Sequence, residues 1–118
     1  MDESKPIYQQ IADQIADQII DGSLPEEAQV PSTNEFAAFH RINPATALKG
    51  VTVLVDEGIL YKKRGIGMFV AEGAKSRLIS RRRESFASEY LRPLIDEATR
   101  LGITPEQLAE LIRKEARP

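Results

Sequence analysis

Cysteine is absent from this 118-residue sequence, and no long apolar run occurs in it. Without thiols the chain can form neither a disulfide nor a thiolate zinc site, and the composition suits a reducing compartment. The apolar runs fall well short of the ~20 residues that a membrane-spanning helix needs. The first residues, Met-Asp-Glu-Ser, carry neither the basic nor the apolar part of a signal peptide. We therefore expect a soluble, cytoplasmic protein with no membrane partner.

Groups suited to catalysis are scarce. His40 is the single histidine, and it falls in a predicted helix, where a capping or half-buried histidine is more common than a general base. The acidic residues are scattered, so no pair stands out as an acid–base couple or as a cage for a hard metal ion. Gly65 and Gly67 lack the third glycine and the following helix of a nucleotide-binding loop. We expect no enzymatic activity, no metal and no cofactor.

Positive charge is concentrated in one segment. The formal net charge is −2, and residues 1–60 hold three basic residues against ten acidic ones, whereas residues 61–83 hold eight basic residues against Glu72 alone. Contacts to phosphate depend on the field within a Debye length of ~8 Å, so this basic block can bind DNA on an acidic protein. The run Arg81–Arg83 is equally compatible with a solvated helix face.

An amphipathic helix is predicted from Pro6 to Asp21, because Ile7, Ile11, Ile15 and Ile19 recur every four residues and Gly22 follows. We interpret its apolar face as core. The next segment, Leu24–Pro31, holds two prolines and should be a loop with one short strand, Ala28–Val30, that pairs with a hairpin further along the chain.

A first short helix is predicted to begin at Ser32. Glu35 stands three residues later, which is the spacing of a capping box, where each side chain bonds the backbone amide of the other residue. Phe36, Ala37 and Phe39 supply the apolar face of this helix.

A second helix is predicted from Pro44 to Glu57. Asn43 is a favourable N-cap, proline suits the first helical position, and Gly58 ends the helix because a left-handed C-cap is most easily a glycine. Two capped helices separated by two or three residues must cross steeply, which lets the second protrude into a groove of DNA. A small helical domain that merely has good caps is the alternative at this point.

A glycine-tipped hairpin follows the two helices. Ile59–Lys63 and Met68–Val70 read as short strands, and Arg64–Gly67 forms the turn because its glycines tolerate a positive φ. Helix, turn, helix and hairpin in this order indicate a mainly α fold with a small β wing, a winged helix-turn-helix. The basic run Lys62, Lys63 and Arg64 on the hairpin favours nucleic acid as the partner.

The remainder of the chain is charged and helical. One helix should be weakest at Pro93 and end at Gly102, and Thr104–Gln107 should cap a second. Their apolar faces comprise Phe86, Tyr90, Leu94, Ala98 and Leu101 in the first helix and Leu108, Leu111 and Ile112 in the second.

Two joined helices cannot bury these faces by themselves, so we expect residues 74–118 to be a helical tail that completes its core in a homodimer. Packing of the tail onto its own domain, residues 1–73, is the alternative.

Four ordered motifs also carry a family resemblance. They are Val30-Pro31-Ser32-Thr33-Asn34-Glu35-Phe36-Ala37, then Ile42-Asn43-Pro44-Ala45-Thr46-Ala47, then Asp56-Glu57-Gly58-Ile59-Leu60, then Arg64-Gly65-Ile66-Gly67-Met68-Phe69-Val70. The sequence resembles the GntR-type bacterial transcription regulators over nearly its whole length. The Asn-Pro-x-Thr start of the second helix and the short two-helix tail resemble the YtrA subfamily in particular.

The resemblance implies a homodimer that binds a palindromic operator in double-stranded DNA and usually represses transcription. It places Ser32 and the first helix on phosphates, the start of the second helix in the major groove, and the wing tip over the minor groove. The candidate DNA contacts are Ser32, Thr33, Asn34, Arg41, Asn43, Ala45, Thr46, Lys49, Lys62, Lys63, Arg64, Gly65 and Gly67. A small-molecule effector of unknown identity is left open.

Two residues depart from the family pattern. Asn34 stands where an arginine is common, so a charged phosphate contact is lost or becomes neutral. Gly50 lies in mid-helix, where glycine costs about 1 kcal/mol of helix stability relative to alanine. We attribute the presence of glycine at this position to close packing against another helix. A winged-helix protein-interaction module without DNA binding is the alternative function, since a fold does not fix function.

Overall fold

The computed structural model describes residues 4–117, and the chain divides into two compact units, Met1–Ser80 and Arg81–Pro118. The first unit contains α1 (Ile7–Asp21), α2 (Thr33–His40), α3 (Pro44–Asp56), β1 (Leu60–Lys63) and β2 (Gly67–Val70). Helix α4 (Ala74–Phe86) crosses the division, and the second unit continues with a π-helical segment (Ala87–Leu91), α5 (Arg92–Arg100) and α6 (Pro105–Glu115). A mainly helical chain with one small antiparallel sheet confirms the predicted fold class.

Helix α1 forms the centre of the first unit. Ile11, Ile15 and Ile19 are almost completely buried, as the four-residue spacing predicts, and Gly22 ends the helix in the left-handed conformation at φ 91°. Ile7, the first residue of the predicted stripe, remains 48% exposed because it lies at the open end of the helix.

Gly50 explains how closely α1 and α3 approach. A Cβ atom at this position would lie 2.7 Å from the backbone oxygen of Tyr8 and 2.9 Å from Cγ2 of Ile11. Real Cβ atoms do not come so near to backbone, so only glycine fits without displacing α1. The predicted close packing against another helix is confirmed, and that helix is α1.

Helix α2 differs from its prediction at two points. Ser32 accepts a hydrogen bond from the Glu35 amide at 3.1 Å, but the reciprocal bond of a capping box is not formed among the described residues. Phe36 and Ala37 are buried, whereas Phe39 is 84% exposed. The inward stripe of this short helix passes through Phe36, Ala37 and the half-buried His40, which leaves Phe39 outside it with its ring edge against His40.

The hairpin pairs β1 with β2 in the register Leu60↔Val70 to Lys63↔Gly67. The strand predicted at Ala28–Val30 is reduced to an isolated bridge between Gln29 and Phe69. Three backbone hydrogen bonds nevertheless join this loop to β2, from Glu27 to Val70, from Val70 to Ala28 and from Val30 to Met68, at 2.8–3.0 Å. The loop therefore acts as a short third strand behind the wing.

The amino-terminal part of α4 belongs to the core of the first unit, because Ala74 and Leu78 are buried there. This is why the compact unit extends to Ser80, beyond the predicted boundary at residue 73. None of the described helices is both long enough and apolar enough to span a bilayer.

In the second unit, Pro93 occupies the first turn of α5, directly after the π-helical segment. A proline ring clashes with the carbonyl four residues earlier in a regular helix, and a wider turn is a common accommodation. The predicted weak point is thus a change of helix type. Gly102 follows α5 at φ 70°, and Thr104 and Gln107 form both bonds of a capping box at 3.0 and 3.2 Å, as predicted.

Candidate nucleic-acid interface

The amino end of α3 presents a short exposed surface. Asn43 caps the helix by accepting a hydrogen bond from the Ala45 amide at 2.7 Å, so its side-chain oxygen is occupied while its NH₂ group remains a donor. Ala45 is exposed and Thr46 is half-buried, and both lie in the first turn of α3. This surface offers a methyl group, a hydroxyl and an amide donor, which are groups that contact base edges in the major groove.

Lys49 lies one turn further along α3 and is held by a residue that the sequence did not single out. Its Nζ lies 4.1 Å from the centre of the Tyr8 ring on α1. A cation over an aromatic ring is attracted to the ring face, so Tyr8 restrains an otherwise exposed lysine. Because Gly50 brings α1 close to α3 at this point, the contact depends on the same packing that excludes a Cβ from position 50.

The amino end of α2 and the turn before α3 carry four further predicted contacts. Ser32 and Asn34 are exposed, Thr33 is partly buried, and Ser32 Oγ is engaged as the N-cap acceptor but retains its own O–H as a donor. Arg41 is exposed and ends α2 in the left-handed conformation at φ 55°, a position that most often holds glycine.

The wing carries three exposed cations, and they are not equivalent. Alternation along β1 places Lys62 and Lys63 on opposite faces of the hairpin. Lys63 Nζ lies 4.4 Å from the centre of the Phe69 ring, which restrains this lysine beside the sheet. Arg64 follows in the turn, with Gly65 at φ 77° and Gly67 at φ 146°. The tip closes through a hydrogen bond from the Ile66 amide to the Lys63 carbonyl at 2.9 Å.

The loop behind the wing contributes two side chains that the sequence also did not reveal. The Tyr61 hydroxyl donates to the Glu27 carboxylate, and this bond raises the pKa of Tyr61. Gln29 Nε2 donates to the Ile66 carbonyl at 3.0 Å. Both bonds join residues more than thirty positions apart, so only the predicted pairing of this loop with the hairpin could have suggested them.

The basic block splits into parts with different surroundings. Lys62, Lys63 and Arg64 lie on the wing. Arg77 instead donates to the backbone oxygen of Gly58, where α3 gives way to β1, so its guanidinium serves the fold. Arg81–Arg83 fall in the second unit. The eight basic residues of this block are therefore not a single surface patch of the first unit.

The residues of the predicted dimerisation face all lie in the second unit, and most of them are open to solvent. Ala98 is buried and Leu108 is half-buried, whereas the other predicted residues are 42–66% exposed, namely Phe86, Tyr90, Leu94, Leu101, Leu111 and Ile112. Together with Ile103, six of these eight residues line an open groove of about 520 Å³, namely Leu94, Ala98, Leu101, Leu108, Leu111 and Ile112. Among the described residues no group of acidic and histidine side chains could hold a metal ion.

The sequence of this chain is similar to those of known bacterial regulators. Residues 7–70 match the model of the bacterial regulatory proteins of the gntR family. The chain is 33% identical to the uncharacterized HTH-type transcriptional regulator YhcF of Bacillus subtilis over 93% of this chain and 89% of that protein. It is also 33% identical to the HTH-type transcriptional repressor YtrA of the same organism, over 94% of this chain and 85% of that protein.

Solved structures show the same similarity. A GntR-family transcriptional regulator from Bacteroides thetaiotaomicron is 36% identical with a TM-score of 0.74, covering 92% of this chain and 95% of its own. The DNA-binding domain of AraR, solved in complex with the operator ORR3, is 32% identical with a TM-score of 0.54 and covers 56% of this chain and 80% of its own.

Proposed function

This chain belongs to the GntR family of bacterial regulatory proteins and is a DNA-binding transcriptional regulator, not an enzyme, and from that premise we propose how it binds. Two copies associate through the second unit and bind a palindromic operator. In each copy α3 enters the major groove and the wing lies over the minor groove. The observation that carries the proposal is the exposed amino end of α3, capped by Asn43 and packed so closely on α1 that its outer face stays clear of the core.

Base recognition falls to α3. Ala45 can contact a thymine methyl group, Thr46 can donate to or accept from a base edge, and Lys49 can donate to the acceptors of guanine. Tyr8 limits the positions that the Lys49 ammonium samples, so less side-chain entropy is lost when it binds a base. Asn43 adds its amide donor at the start of the helix.

Affinity falls mainly to phosphate contacts, which hold the register and carry no sequence information directly. Ser32, Thr33 and Asn34 at the start of α2 and Arg41 at its end are placed for this role. On the wing, Lys62, Lys63 and Arg64 supply the charge, while Gly65 and Gly67 allow the turn that brings the backbone close to the DNA. An AraR domain of similar fold was solved in complex with an operator, which supports DNA as the partner of this fold.

Dimerisation is supported by the exposed apolar residues of the second unit. A groove lined by eight leucine, isoleucine and alanine side chains, with Glu97 and Glu115 beside them, is costly to leave in water. A two-fold partner would cover the same surface on both copies. A dimer also links two copies of α3, the proposed recognition helix, so that binding of the first raises the effective concentration of the second and increases the overall affinity.

Repression is proposed because a relative aligned over 94% of this chain is named a transcriptional repressor. Family membership favours this role over a winged-helix module that binds only protein. A cytoplasmic location follows from the proposed partner, since operator DNA in bacteria lies in the cytoplasm.

Selection of binding sites from a random DNA library by the full chain tests the proposal. We expect an enriched sequence with dyad symmetry, whose half-sites lie about one helical turn apart and bind two chains. An enriched site without symmetry, bound by one chain in sedimentation, would contradict the dimeric mode. Transcription in vitro from a promoter overlapping the site should fall on addition of the protein, and a rise would identify an activator.

A further inference from the structure

We propose that Gln29 positions the wing tip for its DNA contact, although it lies in the loop before α2 and not in the hairpin itself. The inference rests on the proposed function, because the wing has to contact DNA for its position to matter. It concerns a residue outside all the predicted contacts.

The backbone of Gln29 lies at the isolated bridge with Phe69, in the loop whose hydrogen bonds reach β2 on either side of that bridge. From there the side chain runs along the hairpin toward its tip. Its Nε2 donates to the carbonyl oxygen of Ile66 at 3.0 Å. Ile66 stands between the two turn glycines and is 63% exposed, so the bond fixes the peptide at the outermost part of the wing.

Gly67 lies directly beside this amide. A Cβ atom at position 67 would lie 2.6 Å from Gln29 Nε2, so a side chain there would push the flexible Gln29 amide away from the Ile66 carbonyl. The positive φ of 146° independently favours glycine at this position. At Gly65, in the same turn, a Cβ would meet nothing within 4 Å. Of the two turn glycines, Gly67 is therefore the one that adjoins the Gln29 contact.

A hairpin of four residues per strand has little rigidity of its own, since an isolated two-stranded hairpin is marginally stable in water. The bond to Ile66 connects its far end to a loop that is fixed by Val30, which is buried in the core. Arg64 precedes the held peptide by two residues. The side chain of Gln29 thus limits how far Arg64 can swing before DNA arrives, and the entropy lost on binding is smaller.

The decisive variant is Gln29→Met, which keeps the length of the side chain but cannot donate to the Ile66 carbonyl. Gln29 is exposed, so the fold should be unaffected. The matched control is Gln18→Met on α1, whose side chain makes no hydrogen bond in the described part of the chain. In the full-length protein without DNA, NMR relaxation should show greater motion of the Ile66 and Gly67 amides in Gln29→Met than in Gln18→Met.

With DNA, Gln29→Met should bind the selected operator about two- to tenfold more weakly, the ratio that corresponds to the net contribution of one hydrogen bond. In an Arg64→Ala background the same substitution should have almost no further effect, because the group that it positions is gone. Protection of the minor groove beneath the wing from hydroxyl radicals should weaken in parallel.

The two ways of failing are distinguishable. If the wild-type protein selects no operator, the proposed function fails, while the NMR comparison still tests whether Gln29 restrains the tip. If the wild type binds and Gln29→Met matches Gln18→Met in tip motion and affinity, the positioning role is wrong. Equal losses of affinity with and without the Arg64→Ala substitution would also overturn it, since they would show that Gln29 acts independently of Arg64.

Discussion

The two units of this chain have equally clear helix caps and apolar periodicity, but they differ in how far their apolar side chains are buried. In the first, helix caps and apolar periodicity lead to a closed core in which Ile11, Ile59 and Val70 are completely buried. In the second, a complete capping box at Thr104 and a regular apolar face lead to helices whose one buried side chain is Ala98, among the described residues. Local sequence determines where helices begin and end, but burial requires a surface opposite them, and the second unit does not provide one by itself.

Separating the units tests this comparison most strongly. A chain ending at Ser80 keeps Ala74 and Leu78 and should therefore fold as a stable monomer. Its affinity for the operator should fall by about 10²–10⁴-fold, because bivalent binding is lost. Sedimentation and binding isotherms measure both effects. A truncated protein that remains a dimer would mean that the second unit is not the dimerisation element.

Removing one apolar side chain from each unit gives the next largest effect. Ile59→Ala should cost about 2–5 kcal/mol of unfolding free energy, because it leaves a cavity in a closed core. Leu111→Ala, from a side chain that is 46% exposed, should shift the monomer–dimer equilibrium and change the unfolding of the monomer far less. Denaturation at several protein concentrations separates the two. A large, concentration-independent loss from Leu111→Ala would show that the tail packs within its own chain.

Adding one methyl group is a smaller perturbation. Gly50→Ala should lower the unfolding free energy by about 1–3 kcal/mol, the usual cost of overpacking, in spite of the better helix propensity of alanine. Ser80→Ala on α4 is the control, since its side chain is exposed and surface substitutions of that kind usually stay within about 0.5 kcal/mol. Stabilisation by Gly50→Ala would show that α1 and α3 can separate without cost.

Removing single positive charges should give effects no larger than this, and they should fall on DNA binding and not on the fold. Lys49→Ala should cost about 1–3 kcal/mol on the operator and much less on random DNA, because it removes a base contact. Arg64→Ala should weaken binding to both DNAs more evenly and reduce the salt slope by about one unit per wing. Arg113→Ala, in the second unit, should change neither the affinity for DNA nor the salt slope. Isotherms at several salt concentrations decide the matter, and equal losses from Lys49→Ala on both DNAs would exclude base recognition.

Much of the fold could be predicted because the signals are local. Gly22, Gly58 and Gly102 end or follow helices as expected, and Asn43 and Thr104 begin them. Each of these residues acts on backbone within a few positions of itself.

The supporting contacts of the site could not be predicted in this way. The contact of Lys49 with Tyr8 depends on the distance between two helices, and the bond from Gln29 to Ile66 spans 37 positions. Composition counts Arg77 with the basic block because it records charge and not the partner of that charge, the Gly58 carbonyl. Helical spacing predicted wrongly that Phe39 points inward. The spacing shows which side of α2 is apolar, but it does not show how much of that side the core covers. A sequence pattern identifies one partner of each of these contacts, but it does not identify the residue on the other element that the partner meets.

The packing at Gly50 also bears on how such a regulator can change its target. Ala45 and Lys49 are exposed and contribute nothing to the core, so a mutational library at these two positions should yield folded proteins with altered operators. Diversification at position 50 should instead lower stability, because even a Cβ atom there would meet Tyr8 and Ile11 of α1. A single glycine thus separates the exposed positions of the proposed recognition helix, where side chains can change, from the part that packing against α1 fixes, and retargeting of this protein should begin at those exposed positions.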